Sequence, residues 1–291
     1  MDIVLGTVQF GLDYGVSNNS GKISNRNVSD ILSTAWNGGI STIDTAIDYG
    51  NSEELIGRMS GGYEWNIITK TPGIDSNYIS KDYLKLVDKS LKQSMNYLGV
   101  KQLEGVLVHS CDDLFKPGGE ELFALINDLK NNGKTRKIGV SVYDYKQIDK
   151  ILDNFGVDII QLPLSIMDQR LIKSKHLEKI KKYGIEVHAR SIFLQGLLLM
   201  NLDDVPMYFS KIYGSLRDFK ISAREMLMSD IEFAINFVRN VKHVDKMIIG
   251  VNTVEQLNEI IKTPNIKLKS SKFCDIAVHD DNYVNPSNWN L

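Results

Sequence analysis

"TIDTAIDYGNSEELIGR", residues 42–58, opens as a buried strand with Thr42 and Ile43 and then meets a carboxylate, Asp44. Tyr49 follows five positions later with Gly50 directly behind it, and Ser52 begins an amphipathic helical run that reaches residue 59. Strand, polar loop and helix in so short a stretch make one βα unit. The rhythm continues on both sides. Upstream, "DIVLGT" precedes a helix predicted over 25–38, and "GISTID" leads into the quoted loop. Downstream, "WNIITK" precedes 80–98, "EGVLVH" 119–131, "RKIGVSV" 144–154, "VDIIQL" 171–183, "IEVHAR" a helical region near 222–239, and "KMIIG" 253–262. Gly38-Gly39, Gly99, Gly133 and Gly184 fall just after helical runs, where a left-handed residue is wanted. Eight βα units without a linker predict an α/β fold, a (β/α)8 TIM barrel formed as a single domain over 1–291, with residues 265–291 as a C-terminal tail that could lie over the barrel mouth. Two doubly wound sheets are the alternative, disfavoured in its dinucleotide-binding form because no G-x-G-x-x-G follows a strand.

Composition fits this reading. The chain has 291 residues, 43% of them hydrophobic and 24% charged, which suits a large buried core. A formal net charge of -2 with mixed signs gives no footprint for nucleic acid, and the basic run Lys179–Lys182 reads as a solvated helix face. No apolar stretch is long enough for a membrane span and "MDIVLGTVQFG" has no basic leader, so a cytoplasmic protein is expected, a monomer or homodimer. Cys111 and Cys274 stand far apart and indicate neither a disulfide framework nor a zinc ribbon.

In such a barrel the chemistry belongs at the C-terminal ends of the strands. Strand 2 ends on Asp44, strand 3 on Lys70 and strand 4 on His109, and neighbouring strands lie only about 4.8 Å apart. Tyr49 follows on the loop after Asp44. Each residue alone admits a structural role: a helix cap for Asp44, a snorkelling stem for Lys70, a core position for His109, a lid for Tyr49. Together they suit proton donation to a carbonyl. A phenol is a weak acid near neutrality, but an adjacent ammonium favours its phenolate. Lys70 supplies that ammonium, Asp44 holds it, and His109, as a neutral donor, orients the substrate oxygen. The set contains no nucleophile and no metal cage, so the carbonyl carbon must accept a hydride, and a nicotinamide cofactor is implied.

"DTAIDYGNSEELIG" resembles the D-T-A-x-x-Y-G-x-S-E-x-x-G signature of the aldo-keto reductases, and Asp44, Tyr49, Lys70 and His109 resemble that family's catalytic tetrad in order and spacing. "GVSVY", "IIQLPLSIMDQR", "FLQGLL" and "IIGVNTVEQLNEI" are similar to further family motifs, so the resemblance spans nearly the whole chain. It implies reduction of an aldehyde or ketone with NADPH, or with NADH. Ser141 and Gln161 would hold the carboxamide, Gly6 and Thr7 would approach the nicotinamide together with Asp44, and Ser191 and Phe193 would cradle the pyrophosphate. Gly250, Asn252, Gln256 and Glu259 would meet the adenosine end. The chain departs from the family at Val142, where an asparagine is usual, and at Arg190, where many members stack an aromatic ring and a guanidinium could stack instead. Ile260 replaces another asparagine, and no Lys or Arg stands between Gly250 and Glu259 to clamp a 2′-phosphate. These altered contacts keep a second reading open, a nicotinamide-nucleotide-binding sensor or regulatory protein with little turnover, as in the potassium-channel β subunits.

The long connection "GLDYGVSNNSGKIS" shapes substrate binding on this reading, with Phe10 and Tyr14 as pocket walls beside Tyr49 and His109 and a small-molecule carbonyl as the partner. "VNPSNW" and "GTVQFGLDYGVSN" resemble bacterial members associated with surface-polysaccharide and modified-sugar synthesis, which implies a sugar-derived carbonyl. Trp289 would either stack on a sugar face or pin the C-terminus. His279-Asp280-Asp281 lacks further ligands at metal-binding spacing and reads as exposed tail; no metal is expected.

Overall fold

The structure, a computed structural model, describes residues 1–18, 21–268, 273 and 275–289. Eight parallel strands close into a barrel in sequence order: β1 (Asp2–Gly6), β2 (Thr42–Asp44), β3 (Asn66–Lys70), β4 (Leu103–Val108), β5 (Thr135–Ser141), β6 (Ile159–Pro163), β7 (Glu186–Arg190) and β8 (Lys246–Gly250). Closure runs from Asp2 opposite Lys246 to Gly6 opposite Gly250.

Helices return outside the barrel, and local chemistry sets their ends. Ser24, Ser80 and Thr253 each accept the backbone N–H three residues on, and Asp144 accepts those of Lys146 and Gln147. Gly39, Gly99, Gly133 and Gly184 are left-handed, whereas Gly38 has φ -82. Two expected helices are each a pair. The 171–183 run divides into Arg170–Lys173 and His176–Lys182, broken where Lys175 takes φ 60. The region near 222–239 divides into Tyr213–Glu225 and Asp230–Asn240, because Ser229 and Glu232 form a reciprocal capping box that starts a new helix.

A large apolar shell lies between sheet and helices, while Ile68, Leu107 and Ile159 form a separate buried cluster that fills the barrel. Gly139 makes room for them: a Cβ there would lie 2.3 Å from the Ile159 carbonyl oxygen and 2.7 Å from Leu107 Cδ2. Side chains on a strand alternate between faces, so the residue two further on points the same way, one step nearer the C-terminal end. From those three apolar residues that step reaches Lys70, His109 and Gln161. The apolar plug therefore carries a polar layer on top.

A second polar cluster lies near the N-terminal ends of the strands. Lys137 pairs with Glu104 at 2.9 Å and Glu186 at 2.7 Å, and fully buried His188 meets Glu186 at 3.2 Å. The C-terminal tail packs on the loops after β6 and β7. The Val278 N–H donates to the Met167 carbonyl, Asp281 pairs with Arg170 at 2.7 Å, and the Trp289 ring meets Phe209 edge-on at 4.9 Å.

Candidate active site

Asp44 ends β2 on the same level as Gly6 of β1, and two hydrogen bonds from Thr7, its N–H and its hydroxyl, fix the Asp44 carbonyl. The Asp44 carboxylate is then used on both sides. Lys70 Nζ donates to Oδ1 at 2.6 Å and Gln161 Nε2 to Oδ2 at 2.8 Å, while Lys70 also donates to the Thr45 carbonyl at 2.8 Å. Tyr49 returns over this group through a turn closed by its N–H on the Ala46 carbonyl. Lys70 Nζ lies 5.1 Å from the Tyr49 ring centroid, and His109 meets that ring edge-on at 5.9 Å.

The glycine behind Tyr49 now has a reason. Gly50 takes φ +59, and a Cβ there would lie 2.6 Å from the Gly11 carbonyl oxygen; a Cβ on Gly11 would lie 1.7 Å from that of Tyr49. Two backbones cross in contact, so the β1 and β2 loops lock each other. Ser52 and Glu53 complete the anchor. Ser52 donates to the Thr7 carbonyl, and buried Glu53 accepts from Thr69 at 2.6 Å and Ser94 at 2.7 Å, tying its helix to β3 and to Lys81–Leu98.

Electrostatics depart from the sequence expectation at one point. Burial pushes the Tyr49 phenol above its ordinary value; Lys70 opposes this, as expected of a neighbouring ammonium, but does not outweigh it. The phenol is accordingly fully protonated at neutral pH. Burial alone would lower Lys70, but Asp44 and Tyr49 outweigh it and keep the ammonium charged. Tyr14, across the cleft, is pushed up to about 12 by burial and by Tyr49.

A cleft of about 320 Å³ opens over this group. Its walls include Asp44, Tyr49, Lys70, His109, Tyr14, Ser141, Gln161, Arg190, Ser191, Phe193, Gly250, Asn252 and Gln256, all named from the sequence. Four expected contacts stand elsewhere. Phe10 is fully buried in the apolar shell, because Val8–Gly11 forms a helical turn that sends it inward and leaves Val8 and Gln9 on the cleft. Gly6 and Thr7 lie behind the wall, with the Thr7 hydroxyl committed to Asp44. Glu259 faces away and accepts from Ser229 at 2.7 Å. Tyr143 and Gln195 line the cleft with no motif to mark them; Tyr143 stands two residues past the end of β5, close enough to the strand end for that position to be read as a site candidate. The Arg190 guanidinium stacks on the Tyr143 ring at 4.4 Å and donates to the Val142 carbonyl, so it has an aromatic partner within the chain.

The cleft residues fit a nicotinamide nucleotide. Buried Gln9 Oε1 and Asn252 Oδ1 have no partner among the described residues. Ser141 and Gln161 stand side by side in register as a carboxamide contact requires. Ser191, Leu194, Gln195 and Gly196 all take positive φ; the Leu194 and Gly196 N–H groups close turns on the Ser191 and Phe193 carbonyls, which folds this loop tightly against the cleft. Lys246, the basic residue on β8, begins that strand at the opposite end of the barrel from Gly250; Lys272, Asn19, Ser20 and Cys274 lie outside the described residues. Trp289 and the rest of the described tail take no part in the cleft, whose walls reach no further along the chain than Gln256. Asp280 caps a short helix and Asp281 is paired, and no cluster of metal-ligating side chains occurs among the described residues. No described helix is long and apolar enough to cross a membrane.

An eight-stranded barrel with a Tyr–Lys–Asp–His group under an open cleft matches a class, the NAD(P)H-dependent carbonyl reductases. The sequence matches the Aldo/keto reductase family over residues 2–281, and the chain belongs to that family. Among named relatives, the NADH-specific methylglyoxal reductase of Escherichia coli K12 is 26% identical over 275 residues, covering 83% of this chain and 84% of that protein. The L-glyceraldehyde 3-phosphate reductase of the same strain is 24% identical over 281 residues, covering 83% and 80%. An aldo-keto reductase from Bacillus halodurans, solved in its holo form, shares the fold with a TM-score of 0.75 at 19% identity, covering 94% of this chain and 90% of that one. The chain reduces carbonyl compounds with a nicotinamide cofactor; the sensor alternative finds no support among these reductase-named relatives.

Proposed function

We propose that Tyr49 delivers the proton, that Lys70 and Asp44 stabilise the phenolate left behind, and that His109 orients the carbonyl oxygen. The observation carrying this reading is the Lys70–Asp44 contact at 2.6 Å under the Tyr49 ring, with the lysine side chain 1% exposed. A reduced nicotinamide, when bound, supplies the hydride. Ser141 and Gln161 would hold its carboxamide, the Ser191–Gly196 run its pyrophosphate, and Asn252 and Gln256 its adenosine end. Asp44 has a double duty: charge on the ammonium side and a fixed acceptor for Gln161 on the other. The proton leaves an enclosed phenol toward a developing alkoxide, and the ammonium beside it takes up the charge.

For the coenzyme, the reading is that NADH serves as readily as NADPH. Among the described residues the basic side chains on the cleft are Lys70, His109 and Arg190, none of them beside Asn252 or Gln256 in the chain, and Lys70 is committed to Asp44. For the substrate, the reading is a keto-sugar or other sugar-derived carbonyl. The support is a cleft wall of hydroxyl, amide and guanidinium groups: Tyr14, Ser17, Tyr143, Gln195 and Arg190. The names of the two enterobacterial relatives point to small oxygenated aldehydes. The test compares kcat/KM for methylglyoxal, glyceraldehyde 3-phosphate, keto-sugars and nitrobenzaldehydes with both coenzymes. Preference for the aromatic aldehydes over every oxygenated substrate would defeat the substrate reading.

A further inference from the structure

Asp48, immediately before Tyr49, has no role in the proton donation described above, yet its carboxylate is placed with care. The Gly73 N–H donates to Oδ2 at 2.8 Å, and the same oxygen lies 3.5 Å from His109 Nδ1. The loop after β3 holds both partners, because the His109 N–H donates to Thr71 Oγ1 at 3.2 Å, two residues before Gly73. The His109 ring beside it holds the Asp48 carboxyl below the usual carboxylate range; burial opposes this and the Gly73 N–H reinforces it. Tyr49, with Lys70 beneath it, meets the ring, and Asp113 of the turn after β4, paired with Lys116 at 2.7 Å, acts on it only through space.

We propose that Asp48 is a positioning residue that fixes the proton of His109 on Nδ1, so that His109 donates to the substrate carbonyl only as the imidazolium. An ionised carboxylate accepts and never donates, so the nitrogen facing it must carry hydrogen. The nitrogen left for the cleft is Nε2. In neutral His109 that nitrogen is bare and can only accept, from a substrate hydroxyl for example; to donate to a carbonyl oxygen it needs the second proton. The neutral-donor role expected from the sequence is thereby replaced by a charged one. The orienting hydrogen bond becomes charge-assisted and is lost when the ring deprotonates.

The inference rests on the reading of His109 as the carbonyl-orienting group, but its decisive test does not require turnover. Protein labelled with ¹⁵N-histidine, with His109 assigned by comparison with His109→Asn, is titrated by NMR, and the protonated nitrogen of the neutral ring is read directly. Wild-type His109 should hold its hydrogen on Nδ1, and Asp48→Ala should move it to Nε2, the site favoured by free histidine. An Nε2–H ring in the wild type would overturn the proposal, and that spectrum decides even if the variant fails to fold. In activity, wild-type kcat/KM for carbonyl reduction should fall across the pH range in which the NMR titration shows His109 losing its second proton. Asp48→Ala should lose that limb, keep its rate to higher pH, and regain the wild-type profile as Asp48→Glu. A wild-type rate flat through the His109 titration would also contradict the proposal. Absence of any turnover with an Nδ1–H ring would instead indict the reductase reading and leave the proton assignment standing.

Discussion

The barrel carries a polar cluster at each end of its apolar plug, and the two solve opposite problems. Near the N-terminal ends, Lys137 lies between Glu104 and Glu186, and His188 meets Glu186 in turn. Lys137 and both carboxylates are paired within 2.9 Å, the buried His188 Nδ1 has no partner among the described residues, and the cluster borders no part of the cleft. At the mouth, Lys70 and Asp44 are paired as closely, but the layer continues into Tyr49 and His109, which keep part of their surface open to the cleft, and into Gln9 and Asn252, whose buried oxygens lack partners among the described residues. One cluster is sealed inside the barrel and the other leaves bonding capacity on a cleft, where a ligand can reach it. Neither buried charge nor an unspent buried polar atom marks a site by itself; unspent donors and acceptors that line a cleft do.

Breaking the mouth cluster should abolish chemistry without unfolding the protein. Tyr49→Phe removes the proton and should lower kcat by about 10² or more while coenzyme affinity, read by fluorescence titration, stays near wild type. Lys70→Met leaves the phenolate without its ammonium and should approach that loss. It also strands Asp44 with Gln161 alone, so a drop in melting temperature should accompany it. Breaking the lower cluster should do the reverse. Lys137→Met leaves Glu104 and Glu186 facing each other and should cost about 1–3 kcal/mol of stability, seen as a lower midpoint in urea, with kcat per folded molecule unchanged.

Acid should also find the lower cluster. The His188 hydrogen bond, opposed by burial and joined by Lys137, pulls the Glu186 carboxyl down to about 2. A depressed carboxyl contributes stability above its unfolded value, about 4.3, and loses it as pH falls toward 2. Glu186→Gln should therefore flatten the fall in melting temperature between about pH 4.5 and 2.5 relative to wild type. The smallest effect expected is in the coenzyme: without a basic clamp, the NADPH to NADH affinity ratio should stay well below the roughly 100-fold that a well-formed phosphate clamp gives.

Much of the mouth cluster was legible because barrel strands end where chemistry starts, and Asp44, Lys70 and His109 are the ionisable residues found at successive ends. The eight strands were legible from their apolar runs. Helix breaks at Lys175 and Met226–Ser229 were not, since apolar periodicity continues across them and only the Ser229/Glu232 pair marks the second. Phe10 misled for a related reason: in the loop after β1 a single helical turn decides which side chain faces the cleft, and it chose Gln9. The Tyr49 phenol could not be judged from residue types, because the sign of its shift depends on how much water the fold removes, not on Lys70 alone. Asp48 carries no sequence signal, because its partner, His109, lies 61 positions along the chain and meets it through a loop whose path the sequence does not reveal.

The distinction between the two clusters is tested most directly by following the hydride. NADH carrying deuterium at the transferring position of its nicotinamide is mixed with methylglyoxal and wild type, Tyr49→Phe or Lys137→Met, and single-turnover deuterium transfer to the product carbinol carbon is timed. Wild type and Lys137→Met should transfer at the same rate per folded molecule, and Tyr49→Phe slower by about 10² or more. Undiminished transfer by Tyr49→Phe, or transfer lost in folded Lys137→Met, would contradict the assignment of chemistry to the mouth alone.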